Sequence, residues 1–151
     1  MKSTIRITSI LFTALALASA ATTALAHDDA TMDTMKSANG GQLRMAGIYH
    51  FELVMAKDVK VNPLKVFVTD HAGQKVSTAG ATGTATILAG KQKSTVTLQP
   101  DGDNRLKGMA PVAATPDMKV VVAITLAGKQ PEQTRFTPMA AAKDGHSDHA
   151  H

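Results

Sequence analysis

Between residues 40 and 137 the apolar side chains recur mostly at every second position, and no stretch carries the stripe of an amphipathic helix. A strand sends successive side chains to opposite faces, so a chain written this way can bury a core only by pairing strands. Leu64, Val66 and Val68 alternate with Lys65, Phe67 and Thr69, while Val120, Val122, Ile124 and Leu126 share one face of a β-branched run. Within 41–55, Leu43, Met45, Tyr49, Phe51, Leu53 and Met55 have one parity and are assigned to the core. Arg44, His50 and Glu52 have the other parity, and Ala46-Gly47 marks a bulge or bend. Ala81–Leu88 and Ser94–Leu98 read as a hairpin about Ala89-Gly90-Lys91, and Asp70–Gly73, Pro100–Asn104 and Ala127–Lys129 read as turns or loops. Thr134–Thr137 closes the pattern. Strands at intervals of roughly 8–12 residues predict an all-β fold, a single antiparallel Ig-like β-sandwich of about seven strands.

The flanks have different compositions. Lys2 and Arg6 precede an apolar run from Ile10 to Ala21, and Ala24-Leu25-Ala26 has the small-x-small form of a cleavage box. Residues 1–26 therefore read as a secretory signal peptide, cut after Ala26, with no membrane insertion thereafter. The apolar run is shorter than the roughly 20 residues of a span. Its removal takes away Lys2 and Arg6 and lowers the formal charge from +4 to +2. Residues 27–39 are polar without a period, and 138–151 are Ala-rich and then His/Asp-rich; both are expected to be flexible tails around a domain at 40–137.

Several functions are disfavoured. Without cysteine there is no disulfide framework, thiolate metal site or thiol nucleophile. No Gly-x-Ser-x-Gly, Walker, His-Glu-x-x-His or Gly-x-Gly-x-x-Gly motif occurs, so no catalytic role is expected. Basic residues are dispersed, tryptophan is absent and aromatics make up only 3% of the chain, so nucleic acid is not an expected partner.

The histidines point to a metal. His50 and Glu52 leave the same face of one strand, either as a ligand pair or as a hydrogen-bonded polar surface. Asp70 and His71 stand at a strand end, either as a second ligand pair or as ordinary turn residues. His146, His149 and His151 lie within six residues, near Asp144 and Asp148, in a pattern suited to neutral-imidazole binding of Cu or Zn or to a solvated tail. Cleavage after Ala26 would expose His27, whose α-amine and imidazole can chelate one Cu(II). The methionines add soft donors that suit Cu(I), or serve as packing.

The runs GGQLRMAGIYHFELV, VFVTDHAGQKVSTAGATGTATI and STVTLQPDGDNRLKG, with a β-branched strand before AGKQPEQTRF, carry a family likeness over 40–136. The chain resembles small exported proteins, and N-terminal modules of some adaptors, that accompany heavy-metal efflux systems of the resistance-nodulation-division type in Gram-negative bacteria. That resemblance implies a periplasmic β-sandwich tied to copper, silver, zinc, cobalt or cadmium handling, with an efflux adaptor or other envelope protein as partner. It supplies no ligand residues. His27 alone matches CopC-like periplasmic copper carriers, whose mature chains begin with His. The expected function is a non-catalytic carrier or sensor of a copper- or zinc-like ion; the alternative is an interaction module that docks an envelope partner through a sheet edge.

Overall fold

The computed structural model describes residues 29–56 and 59–140. They form a short helix, α1 (Asp29–Thr34), and eight strands: β1 (Gln42–Ala46), β2 (Tyr49–Val54), β3 (Asn62–Asp70), β4 (Thr82–Ala89), β5 (Gln92–Pro100), β6 (Arg105–Ala110), β7 (Lys119–Thr125) and β8 (Pro131–Phe136). Every pairing is antiparallel, in the order β1-β2-β3-β6-β5-β4-β7-β8. The two edge strands approach each other. The Thr137 amide donates to Gln42 Oε1 at 2.7 Å, and Gln42 Nε2 donates to Thr137 Oγ1 at 3.4 Å. The all-β expectation holds, but the strands form one nearly closed sheet; a separate two-sheet sandwich of about seven strands is not what is observed.

The alternation in β3 and β7 becomes burial as expected. Leu64, Val66, Val68, Val120, Val122 and Ile124 line the core with Phe51, Leu53, Leu106 and Phe136. Each such side chain contributes about 1.5–3 kcal/mol relative to exposure.

The parity assigned across 41–55 is correct for β2 and inverted for β1. Gly47 and Ile48 form a two-residue hairpin turn, so Ala46 pairs with Tyr49, Arg44 with Phe51 and Met45 with His50. Directly opposed residues share a face, so odd positions in β2 match even positions in β1. Ala46 is therefore a core residue, whereas Leu43 and Met45 lie on the face of His50 and Glu52. Gly47 has φ +58° while Ile48 does not enter the positive region, as a type II′ turn requires.

β6 is the strand the alternation does not reveal. Its inward positions are Leu106, Gly108 and Ala110, and two of these are too small to mark a face. Gly108 is small for a reason. A Cβ there would stand 2.6 Å from Val96 Cγ1 and 2.8 Å from the Thr97 carbonyl oxygen, where β5 crosses β6.

The segment expected to be a flexible N-terminal tail is folded onto the sheet over its described part. Six residues do not hold a helix in water unaided. α1 is anchored by Met32, which is buried, and by Asp33, whose Oδ1 accepts from Arg44 Nη1 at 2.7 Å. No helix among the described residues is long and apolar enough to cross a membrane.

Candidate functional site

β2 is buried on both faces. Tyr49, Phe51 and Leu53 point into the core, while His50 and Glu52 point outward yet are only 7% and 4% exposed. The cover is the segment between α1 and β1. The Asn39 amide donates to Glu52 Oε1 at 2.8 Å, Asn39 Nδ2 donates to Oε2 at 2.8 Å, and the Gly41 amide donates to Oε1 at 3.0 Å. The carboxylate thus binds the strap through three N–H groups. Charge-assisted bonds of this kind are about twice as strong as neutral ones.

The β2–β3 register sets the next contact. His50 faces Thr69, and His71 lies two residues further on, diagonal to His50. The chain turns sharply there. Asp70 Oδ1 accepts from the Ala72 amide at 2.9 Å and the Gln74 amide at 2.8 Å, and Gly73 takes φ +76°. Asp70 is therefore a turn-forming residue, and the turn holds the His71 ring against His50. The ring centroids are 5.0 Å apart with an interplanar angle of 77°.

These residues open onto a cleft of about 450 Å³. His50, His71 and Glu52 meet there with Met35, Lys36 and Lys75; Leu43, Phe67, Thr69 and Asn104 complete much of the wall. Asn104 is fixed by Nδ2 donating to the Val68 carbonyl at 3.0 Å, and Arg105 lies over the Phe67 ring at 5.8 Å. Sequence reading did not single out the lysines or Asn104, and it took the methionines only as a group. Only the strap and the β3 turn bring them together. For Lys75 the link is a single bridge to Thr69.

Of the residues named from sequence, His50, Glu52, Asp70 and His71 therefore fall within one small region, with two carboxylates holding backbone and two imidazoles in contact. His27, His146, His149 and His151 lie outside the described residues. Among the described residues, no group of three or more His, Cys, Asp or Glu side chains is arranged to hold a metal ion. No protein-family model, curated protein or solved structure matches the chain.

Proposed function

We propose that the chain is an exported, periplasmic metal-binding accessory protein of a heavy-metal efflux system, a non-catalytic carrier or sensor of a copper- or zinc-like ion. The observation that carries this reading is the pair of imidazoles, His50 and His71, meeting at 5.0 Å on the wall of an open cleft. Two imidazoles are borderline donors that suit first-row ions, and a carrier needs a partly open site from which a ligand can be exchanged. Residues 1–26, as a signal peptide, would deliver the protein to a compartment where such ions are met. His146, His149 and His151 would add capture ligands, and His27 a further one.

A second reading has its own support. Glu52 and Asp70 are committed to backbone, and Val61 and Met109, the latter opposite Pro63, are exposed apolar groups near one end of β3 and β6. An interaction module would use that end to dock an envelope partner, with the histidines incidental.

Calorimetric titration of the chain from residue 27 to 151 with Zn(II) and Cu(II) tests the first reading. Saturable binding tighter than millimolar, weakened by His71→Ala, is expected. Binding no tighter than about millimolar, worth only about 4 kcal/mol, would end the carrier reading. Binding lost with His146→Ala, His149→Ala and His151→Ala, but indifferent to His71→Ala, would move the metal to the tail.

A further inference from the structure

We propose that the outer face of the sheet, at the end where β3 begins and β6 ends, docks onto an anionic lipid surface. Val61, Pro63 and Met109 enter the boundary between headgroups and acyl chains, while Lys60, Lys65 and Lys107 meet the lipid phosphates. The inference uses no residue of the cleft and stands apart from the metal-carrier reading. It rests on the second reading, docking at this end, and names a lipid surface as what is docked.

The β3–β6 register builds this face in tiers. Pro63 pairs with Met109 and Lys65 with Lys107, and directly opposed residues leave a sheet on the same side. Leu64, Leu106, Gly108 and Ala110 are buried, so Pro63, Lys65, Lys107 and Met109 point outward. Val61, just before β3, is 56% exposed and Met109 is 52% exposed. Asn62 turns inward, where its Oδ1 accepts from the Ala56 amide at 3.0 Å and its Nδ2 donates to the Ala56 carbonyl at 2.6 Å, anchoring the chain beside Val61. The apolar tier thus lies at the strand ends, and the cationic tier lies two residues further in, roughly 6.6 Å away. Lys60 adds a cation between the exposed Val59 and Val61. A bilayer surface is layered in the same order, with hydrocarbon inside and phosphate around it.

Charge is the second support. Lys65 and Lys107 are like charges set directly opposite each other, an arrangement that costs a sheet stability. Among the described residues, neither they nor Lys60 has an ion-pair partner. The carboxylates of neighbouring strands are engaged elsewhere. Asp101 pairs with Arg105 at 2.8 Å, and Glu52, opposite Phe67, holds the strap. An anion from outside the chain is what this lysine pair lacks.

Two observations favour lipid over an acidic peptide. β3 lies between β2 and β6, and β6 lies between β3 and β5, so this face offers no free strand edge for a peptide to extend. The unpaired cations are lysines, mobile point charges that suit a diffuse anionic surface, whereas bidentate recognition of a carboxylate is better done by arginine. Arg105 is committed to Asp101.

The test is co-sedimentation of the chain from residue 27 to 151 with vesicles of phosphatidylglycerol and phosphatidylethanolamine, and with vesicles of phosphatidylcholine alone. Binding is expected to the anionic vesicles only, and to fall as salt is raised. Lys65→Gln with Lys107→Gln should weaken it about tenfold or more, since each lysine near an anionic surface is worth about fivefold. Val61→Ser with Met109→Ser should weaken it about tenfold. Lys129→Glu, in the β7–β8 turn at the opposite end of the sheet, changes the net charge by the same amount as the lysine pair and should leave binding within about twofold. Equal binding to phosphatidylcholine, indifference to either double variant, or a loss with Lys129→Glu as large as that of the lysine pair overturns the proposal. Capture of poly-L-glutamate in place of the vesicles overturns it too, and leaves docking of an acidic protein segment standing. A chain that takes up neither vesicles nor poly-L-glutamate ends the lipid proposal and the docking reading of this end together. Circular dichroism of each variant separates lost binding from lost folding.

Discussion

β2 and β4 are both written in alternation, yet the protein treats their outward faces differently. On β4 the outward residues are Thr82, Thr84, Thr86 and Leu88, none of them buried, and Thr84 and Thr86 pair across to Thr97 and Thr95 of β5. On β2 the outward residues are His50 and Glu52, and both are buried. Threonine on a solvated sheet already has water as a partner. A buried carboxylate needs protein donors, and Glu52 obtains them from Asn39 and Gly41. The contrast separates ordinary sheet surface from a face built to hold a segment in place and to present two imidazoles beside it.

The largest expected effect lies on the shared inner face. Phe51→Ala should destabilise the domain by about 3–5 kcal/mol in urea unfolding, because Phe51 is fully buried beneath the polar pair. An effect below about 1 kcal/mol would mean that β2 does not pack against the core as described. Next is Glu52→Ala, which leaves the Asn39 and Gly41 amides without their acceptor and should cost about 1–3 kcal/mol. Hydrogen exchange should accelerate at those two amides while the amides of β7 keep their protection. Unchanged exchange at Asn39 and Gly41 would remove the strap from the account. The smallest effect belongs to the solvated face. Thr84→Ala should change stability by no more than about 0.5 kcal/mol, and a loss as large as that of Glu52→Ala would erase the distinction between the two faces.

Much of this was legible in the chain. The buried faces of β3 and β7 follow directly from alternation, and the β4–β5 hairpin follows from Ala89-Gly90-Lys91, where Ala89 pairs with Gln92. β6 escaped because its inward positions include Gly108 and Ala110, too small to mark a face, and Gly108 is held small by the close approach of β5. The face of β1 was misassigned because a two-residue turn swaps parity between its strands, and reading straight through Gly47 carries the wrong parity backward. The strap has a polar, aperiodic sequence, so its order depends on tertiary bonds to Glu52 that no local pattern announces. His50 and His71 could be picked out singly as candidates. Their meeting required the β2–β3 register, which places His50 opposite Thr69, and local sequence does not encode that register.

The proposed carrier role requires His50 and His71 to act together on one ion. It can be followed by two-dimensional ¹H–¹⁵N NMR of the histidine rings in the mature chain during titration with Zn(II), at neutral pH where imidazole is available as a ligand. The His50 and His71 ring resonances are expected to shift in step and saturate together, independently of His146, His149 and His151. Tail resonances that move while the His50 and His71 rings stay fixed to the end of the titration would contradict it.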